Sequence, residues 1–129
     1  CQRPVMSLLR SRVSAVLCRE IEDTELITTQ LADQSVDLIF WPGIMRPDPQ
    51  GATHQEPYID NAHRLAARLN AYVVQANWPN SLNYPAESAE QGQSIVTAPT
   101  GQTLLRLPKA ESGVGIFPLG SSQYDWYPD

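Results

Sequence analysis

Three short apolar runs, at residues 13–18, 36–41 and 72–76, alternate with two stretches of helical periodicity. That order constrains the fold more than any other feature. A strand that runs parallel to its predecessor needs a long crossover, usually a helix, and such crossovers are right-handed. Residues 24–34 supply the first. Leu26, Ile27, Leu31 and Ala32 fall on one face, and Asp23 is placed as an N-cap. Ser35 breaks this helix, and Val36-Asp-Leu-Ile-Phe-Trp41 follows as the second strand, closed by Pro42-Gly43. Residues 57–71 supply the second crossover, with Pro57 in its first turn and Ile59, Ala62, Leu65, Ala66 and Leu69 as its buried stripe. The third strand then runs to Asn77-Trp78-Pro79. The pattern is a βαβαβ unit with a parallel core.

The flanking segments differ in character. Residues 1–11 read as an incoming loop with a turn of helix at 5–9. Residues 44–55 form a loop rich in Pro and Gly at the edge of the sheet where α/β folds bind ligands. After a polar loop at 80–91, residues 94–98 and 103–107 read as a hairpin around Pro99-Thr-Gly-Gln102, with Gly101 at a position that takes positive φ. Residues 114–119 are one more strand. The aromatic tail 121–129 is too polar for a core element and is expected to lie across a partner or the domain surface. No repeat or low-complexity tract interrupts the chain. The expected domain division is 1–11 as an incoming segment, 12–120 as the folded unit and 121–129 as the tail.

The chain has 129 residues, 42% of them hydrophobic, which suits one domain with a real core. A net charge of −5 argues against nucleic acid or an anionic membrane as partner. The longest apolar runs are too short to span a bilayer. Residues 1–9 show no charged region followed by an apolar one, so no secretory signal is expected, and only two cysteines occur, Cys1 and Cys18. A reduced, cytoplasmic setting without a disulfide is the expectation. A chain that opens on Cys1-Gln2-Arg3-Pro4 without an initiator Met is expected to be the remainder of something longer.

Cys18 ends the first strand, just before a strand-to-helix bend, where α/β folds place reacting groups. Charged residues follow it at once, and a helix N-terminus a few residues on can favour a thiolate. A buried structural thiol is the competing interpretation, since free cysteine is among the most buried residue types. A thiolate attacking a carbonyl or nitrile carbon would give a covalent intermediate for water to hydrolyse. Bases are scarce. His54 lies in the loop at the sheet edge, and His63 follows Ala62 on the second helix. Glu20 and Glu22 are too near in sequence to fold back onto the sulfur, and Glu20 is expected to make a structural hydrogen bond at the bend. Two separated histidines and one interior cysteine do not give metal-ligand spacing, and Gly113-Val-Gly115 lacks the strand–turn–helix context of a phosphate loop. No metal and no cofactor are expected. Trp41, Met45 and Trp78 gather at two strand ends, either as core and rim packing or as the apolar wall of a pocket.

Four pieces in order resemble the carbon–nitrogen hydrolase (nitrilase and amidase) superfamily, in the C-terminal half of its domain. They are Val-Ser-Ala-Val-Leu-Cys18-Arg-Glu20, Val36-Asp-Leu-Ile-Phe-Trp-Pro42, Ala71-Tyr-Val-Val-Gln-Ala-Asn77, and the hairpin Gly92-Gln-Ser-Ile-Val-Thr-Ala-Pro-Thr-Gly-Gln102. The resemblance runs from about Arg12 to Leu119. It implies a partial αββα sandwich, with a mixed sheet formed by the βαβαβ unit and the following hairpin, and association into dimers or larger homo-oligomers. It also implies Cys18 as the nucleophile, and the backbone N–H of Arg19 as an oxyanion donor beside a lysine. Gly43, Met45, Trp41, Asn77 and Trp78 would stand at the pocket for a small amide or nitrile. The family's glutamate and lysine lie upstream of the cysteine. No lysine precedes Cys18 here, and the one in the chain, Lys109, follows the last hairpin strand. Arg68 stands where the family carries an acid.

Three functions follow as expectations. The first is a cysteine hydrolase of amide, nitrile or carbamoyl compounds whose glutamate and lysine are missing from this chain. The second is a catalytically inactive relative used for ligand binding or dimerisation. The third is a generic α/β binding module, which would lack the hairpin after the third strand.

Overall fold

The computed structural model describes residues 2–43, 55–77 and 93–129, with residues 55–57 described as backbone only. The elements are β1 (Met6–Leu8), β2 (Ser11–Ala15), a five-residue 3-10 turn (Cys18–Glu22), α1 (Thr24–Leu31), β3 (Leu38–Gly43), α2 (Gln55–Leu69), β4 (Tyr72–Asn77), β5 (Ile95–Thr97), β6 (Thr103–Arg106), β7 (Gly113–Ile116) and β8 (Asp125–Pro128). Strands β1 to β6 form one mixed sheet in sequential order, and β7 and β8 form a separate ribbon.

The parallel centre follows from the two helical crossovers. β2 pairs parallel to β3, with Ala15 opposite Phe40, and β3 pairs parallel to β4 over its whole length, from Leu38 opposite Tyr72 to Gly43 opposite Asn77. β5 and β6 then add antiparallel as the hairpin. Its turn closes with Gly101 N–H on Ala98 O at 2.8 Å and Ala98 N–H on Gln102 O at 2.9 Å. Gly101 takes φ +79, and a Cβ there would stand 3.0 Å from both the Ala67 Cβ and the His63 carbonyl oxygen. Glycine is therefore required twice, for the turn and for the approach to α2.

Successive side chains of a strand face opposite sides, so the sheet sorts its residues by parity. One face carries Val16, Ile39, Trp41 and Val73 against Ile27 and Leu31 of α1 and Ala62, Leu65 and Ala66 of α2, with Ile21 of the 3-10 turn beneath. Each such large aliphatic side chain contributes about 1.5–3 kcal/mol on burial. The α2 stripe is the expected one, including a partly buried Leu69. Arg68 reaches across to pair with Glu25 and ties the two helices together. On the opposite face Val13, Val96 and Leu105 are buried, whereas Ala15, Phe40 and Ala76 at the C-terminal strand ends are exposed.

Several elements differ from the sequence-based expectation. Residues 5–9 hold no helical turn. Met6–Leu8 is an edge strand antiparallel to β2, turned by Leu9 at φ +54. β2 stops at Ala15, and its ladder continues by one bond, from Val16 N–H to Phe40 O. In α1 the buried positions are Thr24, Ile27 and Leu31, while Leu26 is 53% exposed and Ala32 is exposed. The 3,4 spacing of Thr24, Ile27 and Leu31 makes a continuous stripe, and Leu26 lies off it. Asp23 stands at the N-cap but makes no side-chain cap bond. Pro42 and Gly43 continue β3 rather than ending it. The tail, expected across a partner or the domain's own surface, forms a largely exposed strand at Asp125–Pro128 that pairs with β7, placing Val114 opposite Tyr127 and Gly115 opposite Trp126. A Cβ at Gly115 would meet Leu107 Cδ2 at 2.8 Å, so β7 lies close against the end of the hairpin.

Two outcomes test this packing. Gly101→Ala should cost about 1–2 kcal/mol in denaturant unfolding, since it forces a positive φ on a residue with no space for its Cβ. The 129-residue chain expressed alone should self-associate in sedimentation velocity, through Leu17 (59% exposed) and Phe40 (40% exposed). Phe40→Glu should weaken that association, and a clean monomer at all concentrations would contradict it.

Candidate functional site

The C-terminal ends of β2, β3 and β4 lie side by side, and the backbone after β2 turns sharply there. Leu17 is still extended, at φ −95 and ψ 122. Cys18 then takes φ +47, in the left-handed region, and opens the 3-10 turn. A non-glycine residue held in that region costs about 1–3 kcal/mol and persists only where its surroundings over-determine it. Cys18 is a free thiol and is partly exposed.

The restraints on this bend are explicit. Glu20 Oε2 accepts the Leu17 N–H at 2.7 Å, and Glu20 N–H donates back to Leu17 O at 2.9 Å. A carboxylate three residues into a helix bonding the residue before its first turn is the acidic half of a capping box. Arg3, from the incoming segment, donates to Ala15 O at 2.8 Å and to Glu20 Oε2 at 3.1 Å. It also donates to Gln30 Oε1 of α1, and its own carbonyl accepts from Gln34. From beneath, the fully buried Trp41 donates its indole N–H to Cys18 O at 2.9 Å. Two consequences follow for chemistry. The Glu20 carboxyl is held below its ordinary range, chiefly by the Leu17 N–H and then by Arg3. As expected, it serves the bend and not the sulfur.

Arg19, beside the thiol, grips Glu22 with two donors, Nε to Oε1 at 2.8 Å and Nη2 to Oε2 at 3.3 Å. Tyr58 of α2 lies near the Glu22 carboxylate. Glu22 is thereby lowered, first by Arg19 and then by Tyr58, and Tyr58 is raised, first by Glu22 and then by burial. The pull of Glu22 also raises Arg19, so its guanidinium stays charged. Residues near the start of a helix have backbone N–H groups without intrahelical acceptors, and Arg19 is the second residue of the turn.

Gly43 and Asn77 face one another at the last register of the parallel pair. The Asn77 N–H donates to Ser94 Oγ at 2.8 Å, and that hydroxyl lies 3.4 Å from Asn77 O. The serine of the hairpin motif thus fastens the end of β4 to the strand that follows, a role visible only once the two are neighbours. Trp41 is entirely buried and supports the bend, in the packing role rather than as an open wall. Met45, Trp78 and His54 lie outside the described residues. His63 bonds Thr103 Oγ1 at 2.8 Å and so joins α2 to the hairpin. Among the described residues no group of three His, Cys, Asp or Glu side chains could hold a metal ion, and no helix is long and apolar enough to cross a membrane. An open hollow of about 540 Å³ lies in the β7–β8 region, lined by residues such as Ile116, Tyr124 and Asp125, and shares no residue with the strand-end site. The sequence did not point to Arg3, Glu22 and Tyr58 as site residues. The spacing of Arg19 and Glu22 was the one legible signal.

No family model and no curated protein matches the sequence. Solved structures do match. An amidase from Nesterenkonia sp. AN1, carrying the acetamide moiety of fluoroacetamide added covalently at its active-site cysteine, aligns at TM-score 0.66 and 22% identity, over 85% of this chain and 38% of its own. Saccharomyces cerevisiae Nit3, a member of branch 10 of the nitrilase superfamily, aligns at TM-score 0.66 and 18% identity, over 86% and 38%. The glutamine-dependent NAD+ synthetase from Acinetobacter baumannii aligns at TM-score 0.65 and 18% identity, over 99% of this chain and 21% of its own.

In the protein, Glu20→Ala should cost about 1 kcal/mol of stability, the usual value of a lost cap. Glu20→Gln keeps the acceptor but not the charge. A carboxyl with a lowered folded pKa adds stability above the unfolded value of 4.5 and loses it as pH falls through the folded one. Glu20→Gln should therefore flatten the fall in stability between about pH 5 and pH 3, read by denaturant unfolding at each pH. By its mixed sheet and these alignments, the chain shares the fold of part of these proteins, spanning 38% of the length of the amidase and of Nit3.

Proposed function

We propose that this chain is part of a hydrolase of non-peptide carbon–nitrogen bonds that acts through a cysteine thioester or thioimidate. The observation that carries the reading is the left-handed Cys18, which opens the turn three residues past the end of the parallel strand β2. A strained nucleophile at such a bend is a recognised device for exposing it to substrate. The Nesterenkonia amidase, of like fold, carries its adduct on a cysteine.

In the proposed reaction the Cys18 thiolate attacks the carbonyl carbon of an amide and the π electrons move to oxygen. The Arg19 N–H donates to that oxyanion. When the tetrahedral adduct collapses, the C–N bond breaks and the amine leaves with a proton, giving a thioester. Water then adds to the thioester, releasing the acid and restoring the thiol. A nitrile would pass through a thioimidate instead. Gly43 and Asn77, with Met45 and Trp78, would border the small-molecule substrate. The general base and the lysine come from outside this chain, which spans 38% of the length of the amidase it aligns with. The proposed whole protein is cytoplasmic, works as a dimer or larger homo-oligomer, and needs no cofactor.

A second reading, a catalytically inactive relative kept for ligand binding or dimerisation, draws support from one observation. The described carboxylates around Cys18 are committed to their neighbours: Glu20 to Leu17 and Arg3, Glu22 to Arg19.

The two readings separate by trapping. The full-length protein incubated with a panel of small amides, nitriles and fluoroacetamide should show an acyl-sized mass increase on the peptide containing Cys18, and none in Cys18→Ala. Turnover that survives Cys18→Ala, or a Cys18 that takes no adduct while the protein binds the same compounds, would exclude the hydrolase reading.

A further inference from the structure

We propose that Trp41 is a positioning residue for the oxyanion donor: by holding the Cys18 carbonyl, its indole N–H sets the direction of the Arg19 backbone N–H, which belongs to the same peptide unit. The part that this N–H plays in turnover rests on the hydrolase reading. The hold on the peptide rests on geometry.

A peptide unit is planar, and in the trans form its carbonyl oxygen and its N–H point to opposite sides. Fixing one edge therefore fixes the other. Among the described residues no peptide bond is cis. Each unit between Ala15 and Arg19 is held at one edge or both. Arg3 donates to Ala15 O at 2.8 Å, and Val16 N–H donates to Phe40 O at 2.9 Å. The Leu17 N–H donates to Glu20 Oε2 at 2.7 Å, and Leu17 O accepts the Glu20 N–H at 2.9 Å. Cys18 O accepts the Trp41 indole N–H at 2.9 Å. This last bond differs from the others in its origin. The Glu20 side chain is exposed, whereas Trp41 is fully buried in the cluster that β3 shares with α1 and α2. Packed on all sides, the indole has no room to follow the peptide if the turn shifts. It anchors the Cys18–Arg19 unit to the core and leaves the N–H edge facing away from that anchor. The bond also strengthens the donor, because hydrogen bonds in a chain polarise one another. Direction and strength both act on an oxyanion formed beside the sulfur. Neither acts on the sulfur itself, and that difference makes the role measurable.

The test compares two reactions of Cys18 in the full-length protein, each followed by mass spectrometry of the peptide that contains it. Acetylation by phenyl acetate passes through an oxyanion. Disulfide exchange with methyl methanethiosulfonate takes place at sulfur and forms none. Trp41→Phe keeps an aromatic ring and removes the donor. It should slow acetylation about tenfold, less than the roughly hundredfold loss on removing an entire oxyanion donor, and leave the exchange rate unchanged. Where Trp41→Phe does not fold, benzothienylalanine at position 41 gives the same comparison, since sulfur replaces the indole N–H in a ring of nearly the same shape. On any amide the protein turns over, Trp41→Phe should lower kcat about tenfold and leave KM unmoved. Equal slowing of acetylation and exchange would mean that the bend itself had collapsed, and would overturn the positioning role. Acetylation at the wild-type rate would overturn the proposal and leave the hydrolase reading standing. A wild-type Cys18 that undergoes disulfide exchange but accepts no acetyl group would overturn the hydrolase reading and the proposal with it.

Discussion

The hydrogen bond from the Trp41 indole to the Cys18 carbonyl joins the two halves of this structure's logic. Among the described residues Trp41 is the largest fully buried side chain, and it belongs to the cluster on the helix-covered face of the sheet. A buried indole must place its one donor, and here the acceptor is the backbone of the left-handed residue at the strand end. Core packing and site geometry are therefore not separable. A change that moves β3 relative to α1 and α2 moves Cys18 as well. The polar restraints through Glu20 and Arg3 complete the bend, and Cys18 is left partly exposed.

The sheet is unequal on its two faces. Helices cover one face along the length of the parallel strands. On the other, burial is good at Val13, Val96 and Leu105 and fails at Ala15, Phe40 and Ala76. Parallel strands normally have both faces covered, and the exposed positions sit at the strand ends that also carry Cys18, Gly43 and Asn77. The two facts fit an incomplete layer arrangement, as does a length that spans 38% of the amidase and of Nit3. In the proposed hydrolase the thiol, the Arg19 N–H and these strand ends would form one side of the site.

What was legible in the sequence follows from what periodicity encodes. The parallel βαβαβ unit, the α2 stripe and the Gly101 hairpin were readable because burial repeats along a single element. The same applies to Cys18, which could be placed by its position at a strand end. Its positive φ was not readable, since backbone sign at a cysteine leaves no mark in residue type. The short strands β1 and β8 were missed because each draws its stability from a neighbour, not from its own pattern. Leu26 was misassigned because a leucine in a helix is assumed to face inward, while Thr24, one register away, was the residue that packed. Arg3 and Tyr58 come from elements distant in sequence, and only the fold brings them to the bend.

The central claim is that Cys18 is held in a strained conformation for what its thiol does and not for what it packs against. The stability of Cys18→Gly tests this most directly. Glycine adopts positive φ without strain, so releasing Cys18 should leave the protein unchanged or raise its unfolding free energy by up to about 1 kcal/mol. It should at the same time abolish covalent labelling at the site. A loss of about 2 kcal/mol or more, the cost of emptying a packed core position, would show the thiol to be structural and contradict the account.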